Sequence, residues 1–439
     1  MHILWYIIIP IIIIVISILL LLVLIYWYLE IYYFITEKKE NRNKLLENYT
    51  DEDMKYYKKL SKKEKKNILK LEEELQNSDN SEIVPLRFKF LLSNNSIRNK
   101  RIIMNKLNQL DEMEESTSEY DKINTWINVI SKIPFGVYYK IEQKSIDEYL
   151  PIVLEELNKK IYGHMETKQH IMRILAQFMV NPNAKGYAIG IQGSMGVGKT
   201  KLIKDGVASV LKYPFSFISL AGISDASYLK GFSYTYAGSR YGKVIDEIIQ
   251  AKVMNPIFFF DELDKVSDNN EGHDIINTLI NMTDTTQNDS FTDKYIDDIS
   301  FDISKSLMFF TFNDANKINP ILRDRMIIIN VDKYKLSDKI ELSKNYLIKD
   351  ICKAYNISEN DIIISDKEIE YIISKTAQED GVRNLQRNIN NIYSHINMHR
   401  FIKMPDNKTI EFPFTITREI IDKFILKQED NLNNLSLYL

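Results

Sequence analysis

Eight residues, GSMGVGKT at positions 193–200, constrain this 439-residue chain more than any other stretch. They complete a G-x-x-x-x-G-K-T pattern that follows an apolar run at 187–191 and precedes a helix-compatible segment at 201–211. Strand, glycine-rich loop and helix in that order make a phosphate cradle. Glycines let the backbone curl until successive N–H groups point inward, with a helix N-terminus behind them. Lys199 adds a point charge for the β- and γ-phosphates, and the Thr200 hydroxyl completes Mg²⁺ coordination. Only 14 glycines occur in the chain, yet four stand at 190, 193, 196 and 198, which argues against a chance turn. The expected ligand is ATP or a close relative with Mg²⁺, held by Gly193, Ser194, Met195, Gly196, Val197, Gly198, Lys199 and Thr200.

The length allows two or three domains with full-sized cores. A net charge of −3 supplies no global basic field, so nucleic acid is not an expected partner. A single cysteine, Cys352, excludes an intrachain disulfide framework and suits a reducing compartment.

Residues 3–29 carry no charge, enough at about 1.5 Å per residue to cross about 30 Å of hydrocarbon. Trp5 and Tyr6 flank one end and Trp27 and Tyr28 the other, as in interfacial aromatic belts. A cleaved signal peptide fits less well, because the apolar run is too long, no Lys or Arg precedes it and no A-x-A-like site follows. The expectation is a single-pass membrane anchor over 1–30, in contact with membrane lipid. Lys38, Lys39, Arg42 and Lys44 follow the run, so the positive-inside rule puts the remaining bulk in the cytosol. The sequon at Asn48 should then stay unmodified.

Residues 31–83 read as a charged helical stalk, where Glu64 interrupts a weak heptad seam through Tyr57, Leu60, Ile68, Leu71 and Leu75. The basic run at 62–66 is a solvated stalk face before it is a lipid-headgroup contact. Residues 84–150 carry a helical pattern, punctuated by IPFG at 133–136. Over 151–335, apolar strand-like runs alternate with amphipathic helices, which predicts an α/β domain with a parallel sheet flanked by helices. Residues 336–427 predict a small helical lid domain, and 428–439 a polar tail.

A buried strand with paired acids at its end is read at PIFFFDELD, 256–264. Asp261 is placed to hold Mg²⁺ through water, and Glu262 to orient or deprotonate an attacking water. A third strand at 307–312 ends at Asn313, whose amide can reach a γ-phosphate or that water. Arg325, and after it Arg323, follows on NPILRDR at 319–325 as a candidate arginine finger for a neighbouring subunit, and Arg383 opens a helix in the lid. His395 and His399 stand at i, i+4 but lack the glutamate of a zinc-protease signature, so a structural role is the better reading.

These residues reach a family. The stretches ISLAGISDASYLKGFSYTYAGSRYGKVIDEI (218–248), NPIFFFDELDKV (255–266) and DGVRNLQRNI (380–389) resemble the AAA+ ATPase module of Lon proteases. IPFG (133–136) and IYGHMETKQHI (161–171) resemble the segments leading into it. The resemblance runs over about 118–426. It implies an ATP-driven ring, a homo-hexamer that draws protein substrates through a central pore. It further implies Asn313 as sensor one, Arg325 as the finger in trans, Arg383 as sensor two and Tyr236-Ala237 as the substrate-gripping pore loop. Ser194-Met195 replaces the usual proline pair, Lys243 stands for arginine and Asn384 for glycine. A Ser–Lys protease domain of about 200 further residues is expected to be absent, with a protease in trans as a possible partner. The alternatives are a nucleotide-switched membrane assembly scaffold and a nucleic-acid motor.

Overall fold

The computed structural model describes residues 27, 30, 32, 49, 51–79, 84–141, 146–181, 185–223, 225–236, 238–402 and 409–425. The chain divides into two units, Met1–Pro85 and Leu86–Leu439.

In the first unit, helices α1 (Asp51–Lys59) and α2 (Lys62–Asp79) are described. Glu64, the residue that interrupts the heptad seam, has a capping role. Ser61 donates to its carboxylate from N (2.9 Å) and Oγ (2.7 Å), while Glu64 N donates back to Ser61 Oγ at 3.3 Å. This reciprocal box starts α2. Leu71 on the supposed seam is exposed. The expected membrane anchor over 1–30 lies outside the described residues except for Trp27 and Glu30. Among the described residues, no helix is long and apolar enough to cross a membrane.

The second unit opens with α3 (Leu86–Leu92), α4 (Ile97–Asp111) and α5 (Ser118–Lys132). Ser96 and Thr117 cap the last two by accepting the N–H of Asn99 and Tyr120. Next come α6 (Ile146–Lys160), α7 (Met165–Val180) and β1 (Ala188–Gln192). The α8 helix runs through Lys199–Lys201, a wider π-type stretch Leu202–Ala208, and Ser209–Leu211. Gly206 in that stretch lets α6 approach, since a Cβ there would lie 3.2 Å from Ile161 and 3.3 Å from Leu157. Then follow β2 (Phe215–Ser219), α9 (Ser227–Lys230), α10 (Lys243–Ala251), β3 (Ile257–Asp261) and α11 (Asn270–Thr283). A short hairpin of β4 (Phe291–Thr292) and β5 (Ser300–Phe301) precedes β6 (Leu307–Phe312), α12 (Pro320–Asp324) and β7 (Ile327–Asn330).

Five strands form a parallel sheet in the order β2-β3-β6-β1-β7. Side chains alternate across it, as the period of two requires. Phe258, Phe260, Met308, Phe310 and Phe312 join one core, while Ile257, Phe259, Leu307, Phe309, Ile189 and Ile191 join the other. Both faces are covered at the centre of the sheet, so β3 and β6 read as nearly unbroken apolar runs. Gly190 leaves room for a ring, because a Cβ there would meet Phe312 at 2.9 Å.

The expected boundaries shift in one respect. Phe90, Ile103, Leu107, Trp126, Ile127 and Ile130 share a core with Phe258, Phe260 and Phe310. Helices α3 to α5 are therefore one layer of the sheet domain rather than a separate segment, and position 150 falls inside α6. The apolar faces of these helices had to be buried somewhere, and only the fold names the sheet as their partner.

The lid begins at Lys335, the N-cap of α13 (Leu336–Leu342, Ser343–Leu347 of π type, Ile348–Ala354), and continues through α14 (Asp366–Lys375) and α15 (Arg383–His399). Residues 418–425 are helical. In α15, Leu385, Ile389, Ile392, Tyr393 and Ile396 recur at helical spacing and are buried in the lid's own core. The lid also holds two parallel two-residue strands, β8 (Ile362–Ile363) and β9 (Phe414–Thr415), too short to leave a periodicity.

Phe260 and Phe310 stack across neighbouring strands with ring centroids 4.8 Å apart. Replacing Phe310 with alanine should destabilise the second unit by about 3–5 kcal/mol, read as a lower midpoint in denaturant unfolding. An unchanged midpoint would contradict this account of the core.

Candidate nucleotide site

The strand order creates the site. With β6 inserted between β1 and β3, the loops leaving the carboxyl ends of all three strands open onto one crevice, where open parallel sheets bind ligands. A cavity of about 460 Å³ lies there. It is lined by Gly196, Gly198, Lys199 and Thr200 from the loop after β1, Asp261, Glu262 and Asp264 after β3, and Thr311, Phe312 and Asn313 from the end of β6. Arg383 and Val382 close it from the lid.

The 193–198 loop owes its curl to Gly196 and Gly198, at φ +79° and +91°, values costly for side chains with a Cβ. Buried Val197 anchors it from behind. The Val197 carbonyl accepts from the Tyr334 hydroxyl (3.0 Å) and from His164 Nε2 (3.0 Å), whose ring nitrogen also lies 2.7 Å from that hydroxyl. Burial pulls the pKa of His164 down and favours the neutral ring.

Lys199 Nζ donates to Gly193 O (2.5 Å), Ser194 O (3.0 Å) and Asn313 Oδ1 (2.8 Å). Its pKa is lowered by burial, against the opposing fields of Asp261, Asp264 and Glu262. The Thr311 hydroxyl donates to Asp261 Oδ1 and accepts from Glu262 N at 3.2 Å. Glu262 sits at φ +59°. That left-handed turn is sparsely populated for glutamate; here it ends the strand and puts consecutive acids on one cavity wall.

Asp264 is a residue the sequence reading passed over. Its Oδ2 accepts from Asn313 N at 3.1 Å, while its buried Oδ1 has no hydrogen-bond partner among the described residues. Asp264 thus fixes the backbone of the residue whose side chain meets Lys199. Only its place one short turn after Asp261 marks it in the sequence, whereas its partner is 49 residues away.

The lid seats on the loop through a glycine pair. A Cβ on Gly381 would lie 2.3 Å from Gly196 C, and one on Gly196 would lie 3.0 Å from Arg383 Cβ. Val382 N donates to Gly196 O at 3.2 Å, and Ser194 Oγ to Asp380 Oδ2 at 2.7 Å. Glu379 caps α15 by accepting the N–H groups of Asn384 and Leu385. An apolar and aromatic wall of Ile161, Tyr162, Leu342, Tyr346 and Leu347 completes the cavity.

Other expected site residues lie elsewhere. Arg325 is not among the cavity's lining residues; its guanidinium pairs with Asp284 at 2.9 Å, on an open surface shared with Arg323 and Asp324. Asn319 caps the preceding α12 by accepting the N–H groups of Ile321 and Leu322, with Pro320 in its first turn. Tyr236 is 71% exposed on a turn, while Ala237 lies outside the described residues. Lys243 pairs with Asp246 (2.7 Å) and Glu247 (2.8 Å). His395 stacks on Phe424 at 4.3 Å, and His399 is buried with its Nδ1 against Ile402 O. Among the described residues, no cluster of three or more His, Cys, Asp or Glu could hold a metal by itself.

Comparison with known proteins bears on this arrangement. Residues 189–333 match the ATPase family associated with various cellular activities (AAA), and residues 353–403 match the Lon protease AAA+ ATPase lid domain. The chain carries an AAA ATPase domain and a Lon-type lid. The AAA domain spans β1 to β7, and the matched lid residues include α14 and α15. A Lon protease homolog of Acanthamoeba polyphaga mimivirus is 36% identical over 312 residues, 69% of this chain and 30% of that protein. A Lon protease of Malacoplasma penetrans is 32% identical over 327 residues, covering 74% and 41% respectively. One of Mycoplasma mycoides is 30% identical over 388 residues, 88% of this chain and 46% of the relative. The chain thus spans less than half the length of these curated relatives.

Asp264→Asn tests the wiring of the site. Removing one of three carboxylates that support the Lys199 ammonium should lower its pKa further, so nucleotide affinity should fall off at a lower pH than in the parent. Binding titrations from neutral to alkaline pH would show the earlier fall, and coincident profiles would contradict the geometry.

Proposed function

We propose that this chain is a membrane-anchored, Lon-like AAA+ ATPase that hydrolyses ATP to unfold, translocate or remodel protein substrates. One observation carries the reading: Lys199, Asp261, Glu262, Asn313 and Arg383, scattered over 185 positions of sequence, line a single cavity built on a glycine phosphate loop. Each group has a use in phosphoanhydride cleavage. Loop N–H groups and the Lys199 ammonium bind the phosphates in a partly desolvated setting, where charge counts for more than in water. The Glu262 carboxylate orients the attacking water and takes up its proton. Asn313, held by Asp264 and Lys199, directs its amide at the same region.

Thr200 and Asp261 present hydroxyl and carboxylate oxygens to the same cavity, a hard donor pair suited to nucleotide-bound Mg²⁺. When bound, that ion neutralises charge on the phosphate oxygens. Arg383 lies at the start of the lid helix, so contact with nucleotide would couple lid position to the phosphates. Arg325 lies outside the lining of its own cavity and pairs with Asp284, which supports action on a neighbouring subunit of a homo-hexameric ring. Tyr236, exposed on its turn, is the residue proposed to grip substrate by packing against polypeptide. Membrane anchoring rests on the uncharged run at 3–29 and the basic cluster at 38–44.

Glu262→Gln should keep nucleotide affinity within about threefold and slow steady-state turnover by about 10²–10⁴-fold. Normal turnover would refute the assigned roles; nucleotide binding without turnover in the parent would favour a switched scaffold. Arg325→Ala should reduce turnover by about 10³-fold, provided subunits are concentrated enough to assemble, and a full rate would exclude an arginine acting in trans. For the anchor, a reporter fused to residues 1–36 should remain with membranes after alkaline extraction. Release into the supernatant would remove that part of the proposal.

A further inference from the structure

We infer that the α4–α5 hairpin is a rigid support for the Tyr236 loop, with Lys106 and Lys122 as its two points of attachment. The inference rests on the reading of Tyr236 as the substrate-gripping residue, and it assigns a task to helices that otherwise only cover the sheet. Lys106 of α4 projects between two rings. Its Nζ lies 4.9 Å from the centroid of Trp126 on α5 and 4.5 Å from that of Tyr234 on the loop, and it donates to the Tyr234 hydroxyl at 3.0 Å. The Lys106 side chain is only 13% exposed, with Asp298 at the edge of ion-pair range, 4.0 Å. A cation between two rings holds harder when water is excluded. One residue further on, Lys122 Nζ of α5 donates to the Thr235 carbonyl at 3.0 Å.

The neck of the loop is held independently. Phe232 N donates to Arg240 O at 3.1 Å, and buried Asp293 accepts the Gly242 N–H at 2.8 Å. Tyr234 also meets Tyr295 edge-on, 6.4 Å between centroids. Positions 234 and 235 are therefore tied to the hairpin while 236 stands out in solvent. The hairpin is itself packed on the sheet, since Ile103, Leu107, Ile123, Trp126 and Ile127 are buried in the core they share with Phe258, Phe260 and Phe310. A gripping side chain on an untethered loop would yield under load; one attached to a packed hairpin transmits the motion of the domain.

The test uses the full chain with casein as an unfolded polypeptide probe. Lys106→Met and Lys122→Met should each reduce the casein-stimulated part of ATP turnover by about fivefold or more, with basal turnover and thermal midpoint unchanged. Amide hydrogen exchange should quicken over residues 231–242 and nowhere else. Lys106→Arg, which keeps a cation between the rings, should restore both. Casein stimulation and exchange equal to the parent in both methionine variants would overturn the inference. A general loss of basal turnover and midpoint would also overturn it, by reducing the lysines to plain structural contacts. Tyr236→Ala separates the two levels of argument: full casein stimulation there would sink the gripping role itself, whatever the lysine variants do.

Discussion

The contact between Lys199 Nζ and Asn313 Oδ1, 2.8 Å long, joins the phosphate loop to the end of β6 and organises the site around it. It requires β6 to lie beside β1, and that adjacency requires the parallel order β2-β3-β6-β1-β7. A lysine buried among backbone carbonyls would be a liability without nearby negative charge. Three carboxylates, Asp261, Asp264 and Glu262, supply that charge from the neighbouring strand end. These carboxylates thus offset part of the cost of burying the Lys199 ammonium.

The lid is bound to the same loop by steric fit more than by polar contacts. Gly196 and Gly381 meet where neither could carry a side chain, and the Val382 N–H closes on the Gly196 carbonyl. This explains why Ser194 and Met195 are tolerated in the loop. Backbone curvature comes from Gly196 and Gly198, and Ser194 finds a use as a donor to Asp380. The loop and the lid thus meet directly, with Arg383 at the junction.

Much of the site was legible because its chemistry is local. A glycine loop followed by Lys-Thr, or an apolar strand ending in Asp-Glu, needs only neighbouring residues to make sense. Asp264 was not legible in that way, since its role depends on Asn313, 49 residues later. Tyr334 and His164 likewise act on the Val197 carbonyl, far away in the sequence. The α3–α5 layer shows a related limit: its apolar periodicity called for burial but named no partner.

Residue order alone dictated that a glycine-rich loop would link the strand at 188–192 to a helix, that acids would close the strand at 257–261, and that an α/β sheet would precede a helical lid. Those outcomes follow from short-range rules: backbone freedom at glycine, side-chain alternation in strands, and apolar spacing along helices. Tertiary structure decided which strand lies between which, and hence that Asn313 meets Lys199 while Arg325 pairs with Asp284 outside the cavity lining. It also decided that Lys106 and Lys122 reach a loop more than a hundred residues later. Such contacts depend on the packing of whole layers, a property that no local window of the chain contains.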